Sequence, residues 1–551
     1  MPRFVSLPTP ARFLASLVAL ALPLAPLAAQ IPWTPVAQGF PTTAAEQNDF
    51  SAHTRHQEMW EYLRALRGAT TEMRLDTYGR TQQGRELPLA IFSRPLVSEP
   101  WEAWALGRPI VVLGANVHGG ERTFREGLLI LMRDLATPGT AANALLDQVT
   151  VIVTPQLNPD GFEASAQGQR GNAWGIDLNR DYVKLEDPAI ASLVSNVIAE
   201  WRPHVFVDGH NGGSRPYHVN YQCPSHVDTM LELTLICDDE IFPAIDAKLA
   251  SEGYRGWYYT GGDENEWRVG GWQARIGRNY IGFANAIGML FEAPTQDQEG
   301  GARAGYLAYL TVLEFSARNA ARVMDLVDRA REETVAMGAE PRGDIAVAME
   351  YEPEDYRVDY LLVRGGGRGN GAREDTVEVR GARLMKKPVA TRLRPRPWAY
   401  ILPRDAVDAV AMLRRHRIHV ERLLAPARFE VDAYTIEDVS YEQAYNHAAA
   451  MRIQVGEVLT AQRDFPAGTY LVPTAQPLGR LAAHMLEPET DDNVIYWNTM
   501  DAWVPRPGAT PAGGGGLPNA DREPALPFAG PLLVPIYKLM TPTALSSAVV
   551  K

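Results

Sequence analysis

The sequence predicts an α/β domain built on a largely parallel sheet, followed by a smaller, mixed α/β, strand-rich domain. Short apolar runs alternate with segments of helical period from about Asp49 to Ala339. That is the pattern of buried strands separated by helices. Three of the apolar runs end in polar or glycine-rich clusters, which is where such sheets place their ligands. Beyond residue 345 glycine-rich stretches punctuate the strand-like runs.

The first segment stands apart. Arg3 and Arg12 precede "FLASLVALALPLAPLAA", which ends in small residues before Gln30. A basic start, a short apolar stretch and a cleavage site near Ala28 or Ala29 predict a signal peptide over residues 1–29. Pro23, Pro26 and the short apolar length count against a membrane anchor. No cysteine sits at the cleavage site, and no later segment has a long charge-free apolar run. The expected mature protein is therefore exported, periplasmic or extracellular, with no membrane attachment after signal cleavage. A net charge of -13 spread along the chain counts against a nucleic-acid partner. The mature chain has Cys223 and Cys237, which lack zinc-knuckle spacing. Their pairing is left open, because it depends on the distance between their Cα atoms. Nothing in the sequence specifies an oligomeric state.

The elements follow in order. "HTRHQEMWEYLRALRGAT" has helical apolar spacing through Met59, Tyr62, Leu63 and Leu66. "LPLAIFS", "PIVVLGAN", "VTVIVTPQLN" and "PHVFVDGHN" read as strands, with "TFREGLLILMRDLA" and "AIASLVSNVIAEW" as helices between them. One long helical run, "GYLAYLTVLEFSARNAARVMDLVDRAREETVAMG", closes a catalytic domain expected over residues 45–340. A linker near "AEPRGD" leads to a second domain, residues 345–551, of unassigned role. There "PWAYILP", "AVDAVAMLRRHRI", "HVERLL" and "RFEVDAYTI" suggest strand, helix and strands. "RGGGRGNGAR" and "PGATPAGGGGLPNADREP" read as low-complexity loops without dinucleotide-fingerprint spacing.

The chemistry begins at the end of "PIVVLGANVHGGE". His118 and Glu121 can give an imidazole nitrogen and a carboxylate to one metal ion. A catalytic zinc site uses about three protein ligands and keeps a position open. His210 in "VFVDGHNGG" is the candidate third ligand, because it too ends an apolar run.

The segment "VTPQLNPDGFEASAQGQRGNAWGIDLNRDY" resembles the core signature of the M14 family of zinc carboxypeptidases. The family's elements appear in order: His118-x-x-Glu121, Asn158–Gly161, the run from Arg170 to Arg180, His210, and Glu292 in "GMLFEAPT". Upstream, "TYGRTQQGRELPLAIFS" is similar to the family's early strand pair. The resemblance covers roughly residues 50 to 330 and implies a mixed eight-stranded sheet flanked by helices. It implies one zinc ion on His118, Glu121 and His210, polarising the scissile carbonyl and activating water. Glu292 is then the general base, in apolar surroundings that raise its pKa. Arg170 would stabilise the oxyanion. Asn179 and Arg180 would bind the free C-terminal carboxylate of a peptide substrate. Asp177 would fix the tautomer of His118, and Asn158–Gly161 would shape a turn.

The sequence departs from the family at Asp181, where a second Asn is usual, and in a short Glu121-to-His210 interval. For the substrate-capping tyrosine it offers Tyr258, Tyr259 and Tyr280; the Gly-Gly pair after Tyr259 favours that residue. The side-chain preference stays open: Asp263, Glu264 and Glu266 would suit basic residues, and Arg275 and Arg278 acidic ones. Two other functions use the same zinc site, a peptidoglycan-peptide hydrolase and an amide deacylase. "NVHGGE" also resembles the aspartoacylase branch, although Gly120 stands where that branch has asparagine. A catalytically silent binding protein is the alternative of another class.

Overall fold

The computed structural model describes residues 33, 35–294, 296–364, 375–444, 447–504 and 532–550. The expected signal peptide lies outside these residues, as do residues 365–374 and 505–531, which hold most of the two glycine-rich stretches.

The first ten strands are β1 (Met73–Arg80), β2 (Glu86–Phe92), β3 (Ile110–Ala115), β4 (Thr150–Thr154), β5 (Val205–His210), β6 (Val219–Gln222), β7 (Gly256–Tyr258), β8 (Thr260–Gly262), β9 (Glu266–Val269) and β10 (Ile287–Glu292). Eight of them form one sheet in the order β1-β2-β4-β3-β5-β10-β6-β7. The centre, β4-β3-β5-β10, is parallel, and antiparallel pairs flank it on both sides. The sheet is thus mixed rather than largely parallel, as the family resemblance implied. The parallel strands β3, β4, β5 and β10 are buried along their whole length, which explains their unbroken apolar runs.

One face of the sheet is covered by the helices His56–Ala69, Thr123–Ala136 and Gln298–Arg318 around one apolar core. The expected single helix over residues 305–338 is two helices, Gln298–Arg318 and Ala320–Ala339. Asn319 separates them: its backbone leaves the helical region, and its side-chain amide caps the carbonyl of Phe315 at 3.0 Å. The Cys223 and Cys237 Cα atoms lie 6.4 Å apart and the two residues form a disulfide.

The rest of the chain adds two sheets. The long strands β11 (Ile345–Arg364) and β12 (Asp375–Arg394) form a hairpin. Through β12 it pairs in parallel with β9, giving the order β11-β12-β9-β8. Strands β13 (Ala399–Leu402), β14 (Glu421–Leu423), β15 (Ala427–Tyr441), β16 (Met451–Phe465), β17 (Tyr470–Pro473), β18 (Tyr537–Leu539) and β19 (Ser547–Val549) make a seven-stranded sheet, the strand-rich second domain. The second face of the central sheet shares its apolar core with this region: Tyr280, Ile281 and Phe283 belong to the same buried cluster as Leu481, Met485 and Leu486.

The helix that follows the His118 loop is locked to the helix Gln298–Arg318 through Gly127. A Cβ at Gly127 would lie 2.1 Å from the carbonyl oxygen of Ala302. Because the obstacle is backbone, Gly127→Ala is expected to destabilise the fold by about 1–3 kcal/mol through overpacking. A urea midpoint that does not fall would contradict this close contact.

Candidate active site

The site forms where β3, β5 and β10 end together. In the parallel register Gly114 pairs with Asp208, and His210 pairs with Glu292. Asn116, just past β3, takes a positive φ of 63°, a conformation asparagine tolerates better than most residues. Its side-chain amide donates to the carbonyls of His118 at 2.9 Å and Glu121 at 2.7 Å. One residue therefore folds the loop that carries both. Gly119 in that loop lies against the Asn158–Gly161 turn so closely that a Cβ would fall 2.0 Å from the Gly161 carbonyl carbon. Asn158 caps the turn, its oxygen accepting from the Gly161 amide at 2.8 Å. Asp160 accepts from Thr81 and Arg85 at 2.8 and 2.6 Å, tying in the early hairpin.

His118, Glu121 and His210 converge. His118 Nδ1 lies 2.9 Å and His210 Nδ1 3.0 Å from Glu121 Oε2, and the two Nδ1 atoms are 3.3 Å apart. The opposite nitrogen of each ring is held by a carboxylate: His118 Nε2 by Asp177 Oδ1 at 2.8 Å, and His210 Nε2 by Asp208 Oδ2 at 2.9 Å. A carboxylate at Nε2 keeps the proton there and leaves the Nδ1 lone pair facing inward. Two imidazoles and one carboxylate prepared in this way suit zinc, and their donor atoms all lie within 4.8 Å of one another. Burial pushes the Glu121 carboxyl up, but the His118 and His210 imidazoles outweigh it and hold the group well below its usual range. For Asp177, burial is likewise outweighed by the His118 hydrogen bond.

Glu292 faces these three donors from the neighbouring strand, paired with His210. It is 5% exposed, and its Oε2 has no hydrogen-bond partner among the described residues. A buried polar oxygen without a partner needs a reason, and a water or substrate group shared with a metal supplies one. Burial raises its pKa to about 7, against the pull of His210. Gly212 makes room for it: a Cβ there would lie 2.7 Å from Glu292 Oε2.

The arginines are held differently. Arg170 bonds Asp177 Oδ2 through Nε at 2.9 Å, approaches Glu121 Oε1 at 3.5 Å, and keeps a half-exposed guanidinium. Asn179 is buried; its oxygen accepts from the Gly277 amide at 2.8 Å, and its amide lies 3.5 Å from His210 Nε2. Arg180 donates to the carbonyl of Asn179 at 2.8 Å and lines a cavity of about 390 Å³. Tyr259 lies in the electrostatic field of Glu292, Arg278, Glu121 and Arg170, and burial pushes its hydroxyl up to about 12. Tyr258 instead faces Asp238 and Lys386, and Tyr280 bonds His416 at 3.0 Å. Of the nine site residues expected from the sequence, His118, Glu121, His210, Asp177, Asn179 and Arg170 are thus brought together, Glu292 is paired with His210, Arg180 follows Asn179, and Tyr259 lies in the field of Glu292.

Asp208 is the functional residue that sequence reasoning left unassigned. Its signal was present: it stands two residues before His210 on a strand, so both side chains lie on one face. Two other histidines that a metal could in principle use are placed elsewhere. His204 Nδ1 accepts from the Ile110 amide at 3.0 Å, at the opposite end of β5, and His218 Nδ1 from the Arg255 amide at 3.2 Å.

Residues 59–235 match the family model described as zinc carboxypeptidase, peptidase M14. The match includes His118, Glu121, Arg170, Asp177–Arg180 and His210; Glu292 lies beyond it. The chain is similar to Carboxypeptidase 2 of Trichophyton rubrum, 24% identical over 492 residues that cover 82% of this chain and 86% of the relative. It is also similar to Carboxypeptidase D of Homo sapiens, 29% identical over 249 residues, 38% of this chain and 18% of that protein. Among solved structures, carboxypeptidase A from Helicoverpa armigera aligns with 52% of this chain and 78% of its own at 16% identity, with a TM-score of 0.38.

Removing one inward-facing donor should uncouple the site from metal. His210→Ala is expected to weaken zinc binding by more than roughly a hundredfold, and Asp208→Asn by about ten- to a hundredfold through loss of ring orientation. Competition with a chelator of known affinity measures both. Unchanged zinc retention in His210→Ala would remove that residue from the donor set.

Proposed function

The chain belongs, through its first domain, to the M14 family of zinc carboxypeptidases and is a metallocarboxypeptidase, and we propose that it is an exported exopeptidase that releases the last residue of peptides with a free C-terminal carboxylate. The observation that carries this reading is the state of Arg180. Its guanidinium faces a cavity and donates to a backbone carbonyl, and no carboxylate among the described residues lies within ion-pair distance of it. Arg180 directly follows Asn179, whose amide lies 3.5 Å from His210 Nε2, and a cation without an anion at that place fits a substrate carboxylate, which a guanidinium fork binds with two parallel hydrogen bonds.

His118, Glu121 and His210 would hold one zinc ion, with Asp177 and Asp208 fixing the two rings. Bound there, zinc supplies Lewis-acid polarisation of the scissile carbonyl and makes a water acidic enough to attack near neutral pH. Glu292 takes the proton from that water at Oε2 and passes it to the leaving amine nitrogen. A pKa raised by burial suits a carboxylate that must both accept and return a proton. Arg170, anchored by Asp177, presents its half-exposed guanidinium to the oxygen that gains negative charge. Asn179 and Arg180 fix the terminal carboxylate, so that the last peptide bond is the one presented. Tyr259 covers the bound residue. Export rests on residues 1–29 of the sequence, and the Cys223–Cys237 disulfide suits an oxidising compartment.

Two experiments test the reading. Glu292→Gln is expected to keep zinc and fold and to lose at least roughly a hundredfold in kcat; near-normal turnover would exclude Glu292 as the base. Amidating the substrate's C-terminus is expected to lower kcat/KM by at least roughly tenfold, the worth of a charge-assisted pair. Arg180→Ala should weaken cleavage of the free acid far more than of the amide, because both changes remove the same interaction. Equal cleavage of acid and amide would replace this reading with a peptidoglycan-peptide hydrolase or a deacylase on the same zinc site. No cleavage of any amide bond by the zinc-loaded protein would point to a binding protein.

A further inference from the structure

The charged residues that left the side-chain preference open are not placed alike. Asp263 and Glu264 are exposed on the turn between β8 and β9, where Glu264 pairs with Arg364. Glu266 pairs with Arg268 and Arg383. Arg275 is taken up by Asp492 at 2.8 Å and Tyr496 at 2.9 Å. Arg278 differs from all of these. It is 3% exposed, its Nε has no hydrogen-bond partner among the described residues, and its only bond is from Nη2 to the carbonyl of Gly271. No carboxylate among the described residues forms an ion pair with it.

Its neighbours are residues of the proposed site. Arg278 stands on the helix Gly277–Phe283, whose first amide is bonded by Asn179, the neighbour of Arg180. The groups whose charges act on it are Tyr351, Tyr259, Arg180 and Glu292. Tyr351 comes from β11 of the added hairpin and bonds the carbonyl of Gly270 at 3.0 Å, so the second part of the chain closes this side of the site. Burial drives the guanidinium pKa down to about 10, and Arg180 repels it further. A buried cation without an anion is costly, and the cost is relieved when an anion binds. Arg278, buried, and Arg180, half-buried, each lack a carboxylate partner among the described residues, and the pair matches a ligand with two carboxylates.

We propose that Arg278 is a substrate-binding residue that selects peptides ending in aspartate or glutamate, its guanidinium receiving the side-chain carboxylate while Arg180 receives the terminal one. This rests on the exopeptidase reading of the site. The alternative is that Arg278 is a strut for the loop at Gly271.

The test compares peptides that differ only in a C-terminal Glu or Gln, and Asp or Asn, on the zinc-loaded protein. The acidic member of each pair is expected to have the higher kcat/KM by at least roughly tenfold. Arg278→Gln should bring the ratio close to one by costing the acidic peptides at least roughly several-fold more than the neutral ones, and Arg278→Lys should keep part of the preference. A wild-type ratio near one, or an equal loss on acidic and neutral peptides in Arg278→Gln, would overturn the proposal. Calorimetry with N-acetylglutamate and N-acetylglutamine separates this from the exopeptidase reading. If no peptide loses its last residue, that reading fails, whereas Arg278 is still judged by whether N-acetylglutamate binds more tightly than N-acetylglutamine and loses that advantage in Arg278→Gln.

Discussion

The site depends on the parallel register of β3, β5 and β10. Residues paired across parallel strands face the same side, so the pairing of His210 with Glu292 sets the proposed metal donor and the proposed proton acceptor side by side. A slip of one residue would send one of them to the opposite face. Burial of Val205–Val207 and of Ile287–Phe291 on both faces holds the register. The close packing extends to Gly209, where a Cβ would lie 1.9 Å from the hydroxyl of Tyr309, itself bonded to the carbonyl of Gly114 at 2.9 Å. The helix Gln298–Arg318 is thus pinned against the ends of the strands that carry the chemistry.

Electrostatics then divides the labour. Glu121, Asp177, Asp208 and Glu292 surround two buried imidazoles. Asp177 and Asp208 are occupied with the outer ring nitrogens, and Glu121 with the inner ones. Glu292 is left with an unpartnered oxygen. A divalent cation among the inner donors would balance this excess of negative charge, and burial keeps the uncommitted Glu292 carboxylate suited to exchanging protons in the proposed reaction. The arginines divide by the same principle: Arg170 is tied to Asp177, whereas among the described residues Arg180 and Arg278 bond only to backbone carbonyls, as the proposed binding of ligand anions requires.

The strands of the central sheet were legible because burial on both faces makes them continuous apolar runs with abrupt polar ends. The same ends exposed His118, Glu121 and His210 as candidates, and the motif order through Arg170, Asp177, Asn179, Arg180 and Glu292 brought in the rest. What stayed hidden has physical causes. The antiparallel flanks of the sheet depend on pairing between distant segments, which period alone does not encode. The break at Asn319 falls within an otherwise helical pattern, and one capping side chain decides it. Arg275 and Arg278 look equivalent in sequence, and only the three-dimensional partners Asp492 and Tyr496 set the first apart.

The central claim is that one zinc ion on the His118–Glu121–His210 cluster makes this chain a C-terminal exopeptidase. Mass spectrometry of a defined peptide pool, followed as metal-depleted protein is titrated with zinc, tests it most directly. The account predicts products shortened by one residue at a time from the C-terminus, with activity rising to a plateau at one equivalent of zinc. Internal cleavage products, or full activity in the metal-depleted protein, would contradict it.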